Sequence, residues 1–309
     1  MQSPFEGKQP IGVIYNTTMD RPDAVLALAL LYGLQSRRDS RMGAVSINGS
    51  GLSAAIFCDV VSRFYTPGPV RNANQVLLPG LALDRPLPPG PPMFQSAIDR
   101  TEYARSVRKP ADTSLPEAVI RNGVIFNREA VMILSAPATY LAKSLDLQGV
   151  KEIYRERVQR LVIVDTQQPD IPAIRRVLAE FPAPAVFCPR AVGEAILFPY
   201  AALDKDFSWA PHHPIVDALK AYKQGPYDTP TYDMAAALFA VHPDQGYFGL
   251  SADGTIEVAD NGSLGFKPGA GKMKSLLFDP AQKDRLLQSY VELASAKPPA
   301  PQQRRKRPA

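Results

Sequence analysis

The stretch from Ile11 to Leu30, IGVIYNTTMDRPDAVLALAL, constrains the fold more than any other part of the chain. Its apolar start, with Ile11, Val13 and Ile14, predicts a buried strand, and the mostly polar residues 16–22 predict a loop. A long helix then begins at Pro22 or Asp23, because proline has no N–H group to lose in a first helical turn and acids suit the positive helix end. Strand, loop and helix form half of a βαβ unit. In open α/β sheets the ligand binds at the carboxyl ends of the strands, so this loop is the first place to look for chemistry.

Short apolar runs of the same kind recur along the chain, at residues 42–47, 131–134, 161–164 and 185–188. Predicted helices alternate with these runs, including a short helix over 192–198 and a closing helix over 280–296. This alternation indicates a mostly parallel sheet with helices on both faces. Residues 247–250 and 255–258, joined by Ser-Ala-Asp-Gly, predict a small β-hairpin. The sequence therefore predicts an α/β fold with a mostly parallel sheet and one small hairpin.

Length and composition favour one domain with a short tail. With 309 residues and 45% apolar residues the chain can bury a large core. Residues 1–296 are predicted to form a single α/β domain, within which the Pro-rich stretch 66–92 is an excursion. Residues 297–309, KPPAPQQRRKRPA, are predicted to be a basic, Pro-rich disordered tail.

The tail also accounts for the net charge of +5, because it carries five of the basic residues and no acid. It is either a non-specific polyanion-binding arm or simply a solvated end, and no specific nucleic-acid partner is expected. No apolar run is long enough for a transmembrane helix, so no membrane partner is expected. The first ten residues lack the form of a signal peptide, but a secreted protein without its signal would look the same. The compartment, cytoplasmic or periplasmic/secreted, therefore stays open.

Several familiar sites are absent from the sequence. It has no G-x-G-x-x-G after the first strand, no Walker loop, no G-x-S-x-G elbow and no Cys/His set with zinc spacing. The two cysteines, Cys58 and Cys188, stand in apolar contexts far apart in sequence. They are predicted to be buried free thiols rather than a disulfide bridge.

Polar residues stand at the carboxyl ends of four predicted strands, namely Asn16, Asn48, Ser135 and Asp165. Such an arrangement is expected to form a single crevice. Two acids, Asp23 and Asp233, each open an apolar helix. On pattern alone both could be helix-capping acids, which are common at this position.

Three segments together resemble the nucleoside hydrolase family, the calcium-dependent ribohydrolases that cleave the N-glycosidic bond of nucleosides. Residues 16–28, NTTMDRPDAVLAL, are similar to the opening motif D-x-D-P-G-x-D-D-A-x-A-L. Residues 136–142, APATYLA, are similar to G-P-L-T-N-[LI]-A, and residues 232–237, YDMAAA, to H-D-P-x-A-A. Order and approximate spacing agree from about Ile11 to Ala294. The chain looks like a divergent member, inosine-uridine preferring nucleoside N-ribohydrolase-like.

The resemblance implies one Ca²⁺ ion at the bottom of the crevice. Carried onto this chain, its ligands are Asn16, Asp23, the backbone carbonyl of Ser135, and Asp233. Calcium takes six to eight oxygen ligands, and these residues with water and a ribose diol could supply them. Because an amide stands where the family has a carboxylate, the resemblance implies a weakened site.

The resemblance also assigns catalytic and substrate-binding positions. The position of the general base holds Asn16, which cannot usefully accept a proton, and the position that assists the leaving base holds Tyr232. Asp20 is a candidate for a relocated base, although its position in a turn favours a turn-forming, solvent-facing role. Asn16, Asn48, Asp165 and Gln167 or Gln168 are candidate contacts for the substrate.

Two functions follow as expectations. The first is hydrolysis of the N-glycosidic bond of a ribonucleoside or related ribosyl compound by a metal-oriented water. The second is a catalytically impaired relative that binds a sugar-like ligand or a protein partner. The expected partner is a small-molecule nucleoside or ribosyl compound, with a homo-oligomer possible.

Overall fold

The computed structural model describes residues 9–66, 79–84 and 86–298. All but the first two residues of the predicted tail, 297–309, lie outside these ranges, so the tail stays a prediction. Within the described ranges, no helix has both the length and the apolar character needed to span a membrane.

Twelve strands occur in the described ranges: β1 (Ile11–Thr17), β2 (Ser40–Ile47), β3 (Gly80–Leu81), β4 (Ala130–Ser135), β5 (Val158–Val164), β6 (Ala185–Cys188), β7 (Leu197–Phe198), β8 (Thr229–Pro230), β9 (Gly249–Leu250), β10 (Gly254–Val258), β11 (Leu264–Pro268) and β12 (Lys274–Leu277). The α-helices of the same ranges are α1 (Pro22–Ser36), α2 (Leu52–Tyr65), α3 (Gln95–Asp99), α4 (Pro116–Ile125), α5 (Thr139–Ser144), α6 (Val150–Arg157), α7 (Ile171–Glu180), α8 (Arg190–Glu194), α9 (Ala201–Lys205), α10 (Pro214–Tyr222), α11 (Tyr232–Val241) and α12 (Lys283–Ala294). Short 3₁₀ turns occur at Pro92–Phe94, Pro110–Asp112 and Pro280–Gln282.

The central sheet has eight strands in the order β3-β2-β1-β4-β5-β6-β12-β9. All neighbouring pairs are parallel except β12 with the edge strand β9. The order 3-2-1-4-5-6 is that of a doubly wound sheet, in which the strand order reverses between β1 and β4, and ligands of such sheets bind in a crevice at this switch point. Register places Asn16 beside Leu134 and Thr17 beside Ser135 at this reversal. The predicted α/β fold with a mostly parallel sheet is confirmed.

Both faces of the sheet are buried, which explains the continuous apolar runs in the sequence. Along β4, Val131 and Ile133 pack into the core on one face, and Met132 and Leu134 pack into the core on the other. Helix α1 is buried from Pro22 to Leu34 and packs against α10, α11 and α12. A Cβ atom added at Gly33 would lie 1.8 Å from the backbone oxygen of Leu293, so α1 and α12 pass with their backbones in close approach.

The thiols of Cys58 and Cys188 are free and buried, as predicted. Burial raises the pKa of both thiols far above the usual range. The Pro-rich excursion contributes β3 to one edge of the sheet, where Gly80 pairs with Ser46.

The prediction for the hairpin partner was wrong. Strand β9 pairs with β12 as the edge of the main sheet, whereas β10 pairs with β11. The turn of the real hairpin contains Asn261-Gly262, with Gly262 at a φ of +81°, a conformation that glycine adopts without strain. The apolar residues Ile256 and Leu264 decide this pairing, because both must face the core.

The helix predicted over 192–198 was also placed wrongly. It begins at Arg190 and ends at Glu194, and Leu197–Phe198 form β7, which pairs antiparallel with β8. Pro189 precedes the helix in an extended conformation, which sets its start two residues earlier than predicted.

Candidate functional site

The loop after β1 turns sharply before α1 begins. Met19 has a φ of +49°, and its backbone N–H donates to Oγ1 of Thr17 over 2.9 Å. Arg21 is extended and precedes α1, with Pro22 in the first helical turn. This backbone path directs the Arg21 side chain toward the ends of β1 and β4.

Arg21 bridges the two predicted acids. Its Nε donates to Oδ1 of Asp23 over 3.0 Å, and its Nη2 donates to Oδ1 of Asp233 over 3.0 Å. The same Nη2 lies 3.1 Å from Oγ of Ser135, which itself donates to Oδ1 of Asp233 over 2.6 Å. We call Arg21, Asp23, Ser135 and Asp233 the arginine cluster.

Two further groups complete the surroundings of the acids. The phenol of Tyr15 donates a hydrogen bond to Oδ2 of Asp233. The backbone N–H of Asp233 lies 3.4 Å from Oδ2 of Asp23. Both carboxylates are buried, with 3% of the Asp23 side chain and none of the Asp233 side chain exposed, whereas 34% of the Arg21 side chain is exposed. The arginine is therefore the part of the cluster that ligands in the crevice reach first.

The cluster holds two carboxylates and one guanidinium, a formal charge of −1 when both acids are ionised. Burial, followed by repulsion from Asp233, raises the pKa of Asp23, and Arg21 only partly opposes this shift. Burial by itself lowers the pKa of Arg21, but attraction to Asp233 and Asp23 outweighs it and raises that pKa. Burial and the nearby Asp233 carboxylate also raise the pKa of Tyr15. Arg21 and Tyr15 therefore stay protonated donors at neutral pH.

Three of the four predicted metal ligands lie together, namely Asp23, Ser135 and Asp233. Ser135 takes part through its hydroxyl, where the resemblance implied its backbone carbonyl. Asn16 makes a different contact: its Nδ2 donates to the backbone oxygen of Ile133 over 3.2 Å. Its Oδ1 is buried and has no hydrogen-bond partner among the described residues. Sequence reasoning missed Arg21, although a lone basic residue between acids in a ligand-binding loop is a signal that could have been used.

The other predicted contacts lie around the crevice in different roles. Asn48 is buried, and its Nδ2 donates to the backbone oxygen of Pro137 over 2.7 Å. Asp165 is half-buried near the backbone N–H of Arg190, and burial raises its pKa. Gln167 is exposed and donates to the backbone oxygen of Asn261, so it supports the β10–β11 hairpin.

Gln168, the alternative to Gln167, is fully buried. Its Oε1 accepts from the backbone N–H of Ala138 over 3.0 Å, and its Nε2 donates to the backbone oxygen of Ala136 over 3.1 Å. These bonds hold the loop after β4, next to Ser135. Gln168 thus positions the loop that carries part of the site.

The two predicted catalytic residues lie outside the arginine cluster. Asp20 is exposed and accepts a hydrogen bond from Oγ1 of Thr18. Tyr232 is half-buried; its hydroxyl accepts from Nη2 of Arg190 over 3.0 Å and lies 3.2 Å from Oε1 of Glu194. Burial raises the pKa of Tyr232, so its hydroxyl is protonated at neutral pH.

The arginine cluster does not fit a divalent cation as it stands. The Arg21 nitrogens lie at hydrogen-bond distance from the same Asp23 and Asp233 oxygens that would ligate a metal. Within the ranges that the structure describes, no group of three or more His, Cys, Asp or Glu side chains could hold a metal ion.

Comparison with known proteins identifies the fold. No family model matches the chain. No curated protein matches its sequence. Solved structures do match: an inosine-uridine preferring nucleoside hydrolase from Bacillus anthracis is 14% identical, with a TM-score of 0.63 over 92% of this chain and 99% of that one. A purine-preferring ribonucleoside hydrolase from Gardnerella vaginalis is also 14% identical, with a TM-score of 0.65 over 92% and 98%.

A third match is the type III effector protein XopQ complexed with adenosine diphosphate ribose. It is 14% identical, with a TM-score of 0.62 over 94% of this chain and 95% of that one. At this level of identity the likeness establishes the fold. The resemblance to nucleoside hydrolases read from the sequence is therefore confirmed as a shared fold.

Proposed function

We propose that this chain, which has the nucleoside hydrolase fold, binds a ribosyl compound in its crevice and hydrolyses the N-glycosidic bond of that compound. The observation that carries the proposal is the buried pair Asp23 and Asp233. Arg21 bridges the two acids near the point where the strand order of the sheet reverses. A buried ion pair is weak support for stability, because desolvation offsets much of its attraction. A buried carboxyl group with a raised pKa, such as that of Asp23, is typical of a functional site.

The binding part of the proposal rests on the exposed side of Arg21. Its Nε and Nη2 hold the cluster, and its Nη1 makes no hydrogen bond to any residue in the described ranges. These remaining N–H groups can donate to a ribose hydroxyl. The buried Oδ1 of Asn16 and the half-buried Asp165, each at the carboxyl end of a strand, are further candidate polar contacts.

The catalytic part assigns two proton transfers. A water attacks the anomeric carbon as the bond from that carbon to the base nitrogen breaks, and the proton of the water passes to a carboxylate. We assign the role of proton acceptor to Asp20, which is exposed in the loop between β1 and α1. We assign proton donation to the departing nitrogen to Tyr232, which is protonated at neutral pH. When both acids are ionised, the net negative charge of the arginine cluster stabilises the positive charge that develops on the ribose ring.

A reducing-sugar assay over a panel of ribonucleosides tests this proposal. The wild type is expected to release ribose, and Asp20→Asn and Tyr232→Phe are each expected to be slower by about 10²- to 10⁴-fold. The matched control is Asp253→Asn, since Asp253 is an exposed acid before β10. An equal rate in wild type and Asp20→Asn would remove Asp20 from the mechanism. No sugar release by the wild type would leave only the binding part.

A second candidate function is binding of a ribosyl ligand without turnover, and Asn16 favours it. An amide stands where the resemblance implies the general base, and an amide cannot usefully accept a proton. Isothermal titration with ribose, adenosine and adenosine diphosphate ribose distinguishes the two functions. Saturable binding with no product after long incubation supports the second, and product formation supports the first.

A further inference from the structure

We infer that the Arg21 guanidinium is the resident cation of this site, tethered to the chain in the place of a divalent metal ion. The inference concerns how the acids are neutralised, so it holds whether the bound ligand is hydrolysed or only retained. In this assignment a side chain of the protein takes the place of the calcium ion that the resemblance implies.

The guanidinium lies where a metal ion would have to bind. The guanidinium reaches one oxygen of each acid over 3.0 Å and the Ser135 hydroxyl over 3.1 Å. A calcium ion would contact such oxygens at about 2.4 Å. It would therefore have to displace the Arg21 Nη2 group from between Asp233 and Ser135. A planar guanidinium suits this position, since its fork of N–H groups matches carboxylate oxygens.

The charge of the two acids is already partly neutralised. One guanidinium already offsets one of the two buried carboxylates, and the hydroxyls of Tyr15 and Ser135 both donate to Asp233. The acid pair therefore has fewer free lone pairs and less net charge to offer a metal. A divalent ion at this place would also meet the positive charge of Arg21 at close range, which is unfavourable in a buried site.

The backbone holds the Arg21 side chain next to the acids that it neutralises. Arg21 precedes Pro22, whose ring restricts both residues, and stands two positions before Asp23 on the same loop. Little conformational freedom is lost when the guanidinium contacts an acid so near in sequence. The cation is present wherever the loop is folded, at any metal concentration.

Thermal unfolding with and without CaCl₂, at ionic strength matched with KCl, tests the inference. The wild type is expected to keep its Tm in CaCl₂ and in EDTA. In Arg21→Met, which keeps the stem and removes the charge, the acids lose their cation, so the Tm is expected to fall without metal. Saturating CaCl₂ is then expected to raise it by about 5 °C, the effect of a ligand at about 100 times its Kd. The double variant Arg21→Met/Asp233→Asn is expected to lose this response.

Two results would overturn the inference. One is a folded Arg21→Met that shows no Ca²⁺ response. The other is saturable Ca²⁺ binding by the wild type in isothermal titration that Asp233→Asn abolishes. The titration needs no Arg21 variant, so the inference is tested even if Arg21→Met does not fold, and absence of heat in the wild type supports it.

Discussion

Tyr15, near the carboxyl end of β1, donates its phenolic hydrogen to Asp233 in the first turn of α11. The two residues are 218 positions apart, and both are fully buried. Through this bond the first strand of the chain fixes the orientation of the acid contributed by a late helix. The hydrogen bond therefore links the geometry of the arginine cluster to the overall stability of the fold.

We predict that Tyr15→Phe lowers the free energy of unfolding by about 1.5–3 kcal/mol, because it removes a hydrogen bond to a charged group. Urea unfolding measures the effect. The matched control is Tyr154→Phe, which removes a buried hydrogen bond to the neutral hydroxyl of Ser144. Its cost should be smaller, about 1 kcal/mol. Equal losses in the two variants would show that the hydrogen bond from Tyr15 to the Asp233 carboxylate contributes no more than one to a neutral hydroxyl.

The two acids of the cluster should respond unequally to loss of charge. Asp233 accepts hydrogen bonds from three side chains, whereas Asp23 accepts one from a side chain and one from a backbone N–H. Burial and repulsion raise the pKa of Asp23, which means that its charged form is disfavoured in the folded state. We predict a loss of about 3 kcal/mol for Asp233→Asn and clearly less for Asp23→Asn. Urea unfolding of both variants at pH 7 provides the comparison, and the reverse order would contradict the assigned contacts.

Acid should destabilise the protein through His213. This residue is buried beside Tyr65, its Nδ1 accepts from the backbone N–H of Ile215, and burial lowers its pKa to about 3. In the unfolded chain a histidine has a pKa of about 6.5, so between these values the unfolded state binds a proton that the folded state does not. Stability is therefore lost as pH falls from about 6.5 to about 3, by up to about 1.4 kcal/mol per pH unit.

His213→Asn keeps a side-chain acceptor for Ile215 and removes the titration. We predict a flatter fall of the free energy of unfolding between pH 6 and pH 4 than in the wild type. The control His212→Asn changes an exposed neighbour and should leave the slope unchanged. If the free energy of unfolding of His213→Asn fell with pH as steeply as that of the wild type, His213 would be excluded as the cause of the acid destabilisation.

Gly33→Ala should disturb the packing of α1 against α12. The added Cβ atom would lie 1.8 Å from the backbone oxygen of Leu293, and a backbone group cannot move aside as a flexible side chain can. We predict a loss of about 3 kcal/mol or more, measured by urea unfolding. Gly265→Ala is the control, since a Cβ atom there meets no atom within 4 Å and should leave stability unchanged or slightly raised. A small loss of stability in Gly33→Ala would mean that α12 can move away from α1 to make room for the added Cβ atom.

The parts of the fold that were predictable from sequence are those set by local pattern. The strand that starts at Ile11 and the helix that starts at Pro22 follow from an apolar run and a helix-start signal. The position of Ser135 follows from its place at the end of a strand in a parallel sheet, and those of Asp23 and Asp233 follow from helix-start patterns together with the family resemblance. These signals each span only a few residues.

The parts that were not predictable depend on choices between distant partners. The contact of Arg21 with Asp233 joins residues 212 positions apart and depends on the direction of one long side chain. Strand β10 could pair with either neighbour by alternation alone, and only the need to bury Ile256 and Leu264 together decides for β11. Asn16 stands at the expected strand end, but its amide is committed to the backbone of β4.

The burial of α1 on every side has a consequence for synthesis of the protein. A nascent chain that has just left the ribosome with β1 and α1 carries a helix with no polar face to turn toward water. Three of the helices that cover it, α10, α11 and α12, begin only at Pro214, Tyr232 and Lys283. Until these helices have been made, the apolar surface of α1 that they cover stays exposed in the nascent chain, and exposed apolar surface is what chaperones bind. The contact of Arg21 with Asp233 can form only after α11 has emerged.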